Sequence, residues 1–259
     1  MIQVAFAEKA KKIFQANDNV IGLAVVGSWL TQELDEFSDL DLIIVTQQKV
    51  GGLKDEMLAY AQQLGNFLSG FTGEHVGEPR VLICLFDNPL LHVDLKFLTL
   101  DEFQYGIETP VILLDKEDQL QHVLTHATAK FPYPDFQWIE DRFWTWIHYA
   151  LLKIGRGEYF EAFDFIGFLR ITVLGPLLHL KNGNLPRGVR KVETIVPREE
   201  LNQLIATIPA YNKLALLKSL NNAVSLYRSL RISLFGQGVK LHAKTEESVM
   251  LYFDEIAAK

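Results

Sequence analysis

The chain has 259 residues, 49% of them hydrophobic and 22% charged, with a formal net charge of −7. It is long enough for two cored domains and too apolar to be disordered, and the acidic balance argues against a long nucleic-acid duplex as partner, because phosphate recognition asks for a basic stripe. A single cysteine, Cys84, excludes an internal disulfide and any cysteine-based zinc site, and its apolar run 81–86 makes it a packed core thiol rather than a nucleophile.

In chain order, the first element expected is an amphipathic helix carrying Phe6, Ala10, Ile13 and Phe14 on one side. No basic start with an apolar core and cleavage site is visible there, so a cytoplasmic, unexported protein is the default. Strands follow at 21–26 and 40–45, with Ser28 opening a short helix over 29–33. Leu53, Met57, Ala61, Leu64 and Leu68 recur at near-helical spacing and predict a helix over 53–67, then a loop over 70–80. Further strands are expected at 81–86, 90–98 and 111–114.

The segment Phe131-Pro132-Tyr133-Pro134-Asp135 reads as a junction, dividing the chain at 1–130 and 131–259, with Asp135 able to cap the next helix. Beyond it nearly everything is helical. A long helix is expected from Phe136 to about Gly155, a second over 159–174, a third opening near Pro197, and two more over 211–234 and 245–258. The most apolar stretch, 165–180, is interrupted by Arg170 and Pro176 and reads as too short to span a bilayer, so no membrane partner is expected. Arg187, Arg190 and Lys191 read as the solvated charges of a Gly- and Pro-containing loop. The fold class is α+β: a small mixed sheet flanked by helices, followed by an α-helical bundle.

The residues that carry chemistry lie in the first half. Gly27-Ser28 follows a strand, where the backbone turns sharply or lets a phosphate come close, and a helix N-terminus there would offer N–H groups and a positive dipole end. After a ten-residue spacer come Asp39 and Asp41, two apart on an extended segment. Their side chains therefore leave one face, roughly 6.5–7 Å apart at Cα, and can hold one or two Mg²⁺ ions. In the run 91–97, His92, Asp94 and Lys96 alternate with Leu91, Val93, Leu95 and Phe97. Singly, each acid has a plain structural reading, as a turn cap, an edge residue or the polar half of an amphipathic strand. Together they keep one order and spacing.

That set resembles the polymerase-beta-like nucleotidyltransferases, whose signature is a Gly-Ser turn, such a spacer and an Asp-x-Asp pair, with a third carboxylate from a later strand. The resemblance implies a nucleotidyltransferase domain, Asp94 as the third acid, Mg²⁺ on Asp39, Asp41 and Asp94, and ATP or another nucleoside triphosphate at Gly27 and Ser28. In the second half Phe143-Trp144, Lys153, Arg156-Gly157-Glu158, Ala162 and Arg170 are similar to the helical domain of the aminoglycoside and lincosamide nucleotidyltransferases. Trp29-Leu30-Thr31-Gln32 departs from that group, which often carries an arginine just after the Gly-Ser turn.

The resemblance implies in-line attack of a hydroxyl on the α-phosphate, with AMP the expected group and pyrophosphate released. Asp94 would be general base if the Asp39–Asp41 pair holds one metal, and a ligand of the second otherwise, with Glu158 or Glu161 then the base. His92 could assist. Lys153, then Arg156, are the candidates for meeting the outer phosphates, against the alternative of cations favoured at a helix end. Asp164, between two phenylalanines, needs a partner if buried: a cationic substrate group, or Lys153 or Arg156. The acceptor expected is a small hydroxylated, antibiotic-like molecule between bundle and sheet, touching Trp144 or Tyr159 and paired with Glu158, Glu161 and Asp164, in a monomer or homodimer. Two other classes remain: a nucleotide-binding regulatory module without transfer, and a toxin–antitoxin-type enzyme modifying protein or RNA. Arg142 and His148 fit a loose Arg-x5-His nuclease pattern, but six residues apart they point about 120° from each other on a helix.

Overall fold

Strands β1 (Val20–Val25) and β2 (Leu40–Thr46) are apolar at nearly every position, the composition of strands covered on both faces. In the computed structural model of residues 1–259 they lie inside a six-stranded sheet of order β3-β4-β5-β2-β1-β6, formed with β3 (Phe67–Gly73), β4 (Glu78–Phe86), β5 (Leu91–Thr99) and β6 (Val111–Asp115). β2 and β5 run parallel; every other neighbouring pair is antiparallel. The chain divides into two compact units, Met1–Phe131 and Pro132–Lys259, and the sheet belongs to the first.

Alternation along the strands sends residues to two cores. Leu23, Val25, Leu42, Ile44, Val93 and Leu95 pack with Phe14 of α1 (Ile2–Gln15) and Met57 of α2 (Lys54–Gln63). The opposite face, with Ile43, Val45 and Leu98, packs with Phe103 of α3 (Leu100–Phe103) and Leu120 of α4 (Gln119–Leu124). This second cover is short and does not reach Asp41, the second residue of β2, and Asp94, the fourth of β5, which are part-exposed. Cys84 is the core thiol expected, 2% exposed, and burial pushes it up to about 12.

Two local expectations are corrected. α2 ends at Gln63, because Gly65 (φ 77°) and Asn66 (φ 45°) turn the chain through the left-handed region, and the 67–73 segment then pairs with β4 as an edge strand instead of ending a helix and opening a loop. Leu68 and Phe71 on it are half exposed, so its burial signal is weak and the pairing is tertiary in origin. The short helix after Ser28 is a single 3₁₀ turn, Gly27–Trp29, and Gln32 at φ 57° ends any continuation.

In the second unit, Asp135 caps α5 (Phe136–Arg156) by accepting from the Gln137 and Trp138 amides, and Gly157 (φ 77°) closes it. α6 (Tyr159–Leu169) continues through a π turn, Arg170–Leu174, into α7 (Gly175–Lys181). The Gly175 amide bonds the Arg170 carbonyl five residues back, and the local loosening lets Pro176, which has no N–H, stay inside the helix. The helix therefore runs 23 residues to Lys181, long and apolar enough by composition to cross a membrane, which corrects the expectation that it is too short. Half of its most apolar window is buried in the bundle, as in a core helix. α8 (Val192–Ile195), α9 (Arg198–Ile205), α10 (Lys213–Leu234) and α11 (Ala243–Ala258) complete the unit around a core in which Phe143 stacks on Tyr227 at 3.6 Å.

Candidate active site

The β1–β2 ladder ends with the Val26 amide bonded to the Asp41 carbonyl, so Gly27 is the first residue to leave the sheet, directly over Asp41. It does so at φ +71°, and a Cβ built on it would overlap Asp41 Oδ2. Only glycine supplies that backbone and leaves room for the carboxylate. Here the Gly of the Gly-Ser turn is dictated by its contact with the second Asp of the pair.

One strand over, Asp94 is the register partner of Asp41 on parallel β5, as Leu42 is of Leu95. Partners across neighbouring strands lie about 4.8 Å apart. Their next same-face neighbours, Ile43 and Lys96, face one another in the same way. Asp39 stands two residues before Asp41, part-exposed, where the chain enters β2. Burial raises the Asp94 carboxyl, the His92 hydrogen bond and charge offset part of this, and the negative charge of Asp39 adds to the rise. His92 Nε2 lies 2.9 Å from Asp94 Oδ1.

These three carboxylates offer only hard oxygen donors, the set that suits Mg²⁺. No three His, Cys, Asp or Glu side chains converge into a closed metal cluster, and Asp94 is turned to His92. The donors therefore fit a magnesium ion in kind, on neighbouring strands and one approach segment.

A fourth carboxylate, which the sequence reading missed, joins them. Glu108 Oε2 accepts the Gly27 N–H at 3.3 Å across 81 residues of chain. It lies in the loop between α3 and β6, with no periodicity or motif to mark it. The only sequence hint is the Gly106 and Pro110 that bracket a loop carrying a lone acid.

The residues expected from the second unit have occupations there. Lys153 Nζ bonds Glu158 Oε2 at 2.6 Å, with Arg156 3.8 Å from the other oxygen of Glu158, so these three form a helix-end ion cluster. The mutual hydrogen bond raises the pKa of Lys153 and lowers that of Glu158. Glu161 accepts the Tyr149 hydroxyl at 2.6 Å. Asp164 is exposed, which removes the burial that would have required a partner. Tyr159 is half-buried with its ring edge against Tyr211. Trp144 is 1% exposed, and its indole N–H donates to the buried Glu140, so it packs the core and cannot offer a ligand a surface. Arg142 lies over Trp138 and His148 against Tyr252.

Residues 7–112 match the family model described as a nucleotidyltransferase domain. The matched residues make up most of the first unit and include Gly27, Ser28, Asp39, Asp41, Asp94 and Glu108. No protein of curated function matches the chain significantly in sequence. Among solved structures it is similar to an aminoglycoside 6-adenyltransferase from Bacillus subtilis, at 15% identity and TM-score 0.42 over 98% of both chains. It is also similar to a nucleotidyltransferase-like protein from Exiguobacterium sibiricum 255-15, at 13% identity and TM-score 0.37 over 95% of this chain and 79% of the other.

Proposed function

We propose that the first unit transfers a nucleoside monophosphate, AMP expected, from a magnesium-bound nucleoside triphosphate to a hydroxyl of a small molecule, releasing pyrophosphate. The observation that carries this reading is the register pairing of Asp41 with Asp94 beneath a Gly27 fitted to the Asp41 carboxylate. Asp39 and Asp41 bind the cation, and Asp94 is either its further ligand or the base. A bound magnesium would neutralise charge growing on the phosphates in the transition state. The Gly27–Ser28 backbone orients the phosphate chain by its amides, and His92 fixes the Asp94 carboxylate through Oδ1.

The acceptor expected is a hydroxylated, antibiotic-like compound such as an aminoglycoside or lincosamide, handled in the cytoplasm by a monomer or homodimer. Incubation with Mg²⁺, α-labelled triphosphates and a panel of such compounds should give a labelled small-molecule product and pyrophosphate. Nucleotide binding without pyrophosphate release would make the protein a regulatory module. Label appearing only on protein or RNA would make it a toxin–antitoxin-type enzyme.

A further inference from the structure

The face of the sheet that carries Asp41 and Asp94 runs on into a cavity of about 180 Å³ inside the first unit. Its floor is formed by the next same-face residues of the two strands: Ile43 beyond Asp41, then Lys96 and Leu98 beyond Asp94. Two residues of strand place that floor about 7 Å from the carboxylates. The 104–110 loop lines another side, and Ala127 and Ala129, from the segment after α4, complete the wall.

The volume suits one ring, since aliphatic-lined cavities of about 150 Å³ take up benzene. Its wall is mainly apolar, with two charged residues. Lys96 Nζ is committed to Glu78 at 2.9 Å, a carboxyl that Arg80, burial notwithstanding, and Lys96 hold down at about 2. Glu108 stands at the Gly27 end, its Oε2 on the Gly27 amide. A nucleobase in the cavity would have to bring its phosphates past that carboxylate, whereas a neutral or cationic hydroxylated ring meets a proton acceptor there.

We propose that this cavity is the acceptor subsite: it takes one six-membered hydroxylated ring by its apolar face and presents the hydroxyl to Glu108. In the transfer the hydroxyl oxygen bonds to the α-phosphorus, the bond from that phosphorus to the bridging oxygen breaks, pyrophosphate leaves with the electron pair, and the hydroxyl proton passes to Glu108, which of the two roles considered for Asp94 leaves it that of cation ligand. The catalytic role of the cavity rests on the transferase reading above; its ability to hold a ring does not.

The test is an NMR titration of the full chain with cyclohexanol, followed by Mg²⁺ and α,β-methylene-ATP. The expected result is that cyclohexanol shifts the Ile43, Leu98 and Ala127 methyls. The nucleotide then shifts the Gly27 and Ser28 amides and leaves cyclohexanol in place. Ala127→Trp, or Ala129→Trp if the first fails to fold, should remove the cyclohexanol shifts and keep the nucleotide's. Displacement of cyclohexanol by the nucleotide would overturn the proposal and make the cavity a nucleobase pocket. Unchanged cavity methyls with cyclohexanol would overturn it outright. A nucleotide that leaves Gly27 and Ser28 unmoved counts against the transferase reading alone, because the cyclohexanol shifts judge the cavity independently.

Discussion

Asp41 and Asp94 are register partners on adjacent parallel strands, with both side chains on the face opposite the Leu42–Leu95 pair. A single residue of slip in either strand would send one carboxylate into the apolar core. The apolar positions on both strands fix that register, so core packing sets the geometry of the site.

The carboxylates should separate by role. Asp39→Asn and Asp41→Asn each remove a charged cation ligand and should lower Mg²⁺-dependent pyrophosphate release at least about a hundredfold while the protein stays folded. Asp94→Asn tells base from ligand: a base lost leaves Mg²⁺–nucleotide affinity near wild type, and a ligand lost weakens it strongly. Circular dichroism, calorimetric titration and a pyrophosphate assay on the three variants decide. Wild-type turnover in folded Asp41→Asn would remove the metal assignment.

Gly27→Ala should fail on two counts. The left-handed backbone costs a non-glycine residue about 1–2 kcal/mol, and the new methyl would overlap Asp41 Oδ2. A lowered melting temperature is expected together with loss of transfer. Ser28→Ala, next door, should keep its stability. If Gly27→Ala melts like wild type, the fitted contact with Asp41 is not real.

His179 is 1% exposed, and neither ring nitrogen closes a hydrogen bond. Burial is the larger influence on its ring and lowers its pKa below the usual 6.5. The folded protein thus holds fewer protons here than the unfolded chain. Its contribution to stability is present above about pH 6.5 and is lost as pH falls through the depressed folded value. Urea unfolding at pH 7.5 and 5.5 should show a drop that His179→Phe flattens. An equal drop in the variant would assign the pH dependence elsewhere.

Glu140 is a buried carboxylate, 1% exposed. Burial would raise its pKa, but hydrogen bonds from Tyr227, the His242 amide and Trp144, with the charge of Arg231, hold it below the usual range. It ties α5 to α10 and to the start of α11. Glu140→Ala strands the Tyr227 and Trp144 donors and should cost about 3 kcal/mol or more. Glu140→Gln, which keeps acceptor capacity, should cost less. Denaturant titration of the two variants tests the order, and equal losses would mean that the charge matters more than the hydrogen bonds.

What the sequence made legible was local and periodic. Strand alternation in 91–97 put Asp94 on the same face as His92 and Lys96, and the structure keeps that arrangement because Leu91, Val93, Leu95 and Phe97 need the core. Asp135 capped its helix as its side chain and position suggested. Edge strand β3 was hidden, because its apolar residues face outward and only pairing with β4 makes it a strand. Glu108 was hidden for a different reason: its partner lies 81 residues away, and a lone acid in a loop has no spacing to read. Trp144 was expected to offer a contact surface, but it lies on the buried side of α5, a distinction that a window of mostly apolar residues does not resolve.

The Gly27 amide is engaged before any phosphate arrives, since Glu108 already accepts it. A triphosphate binding at the turn must exchange with that carboxylate, and the exchange takes Glu108 off the Gly27 amide. Since the cavity takes its ring with or without nucleotide, binding is random: initial-velocity lines intersect, and a dead-end acceptor analogue inhibits noncompetitively against nucleotide. Glu108→Gln should lower kcat about 10²–10⁴-fold with nucleotide affinity kept, whereas competitive inhibition by the analogue would mean that ring and nucleotide exclude one another and that the cavity is part of the nucleotide site. A single amide is shared in turn by a side chain and a substrate.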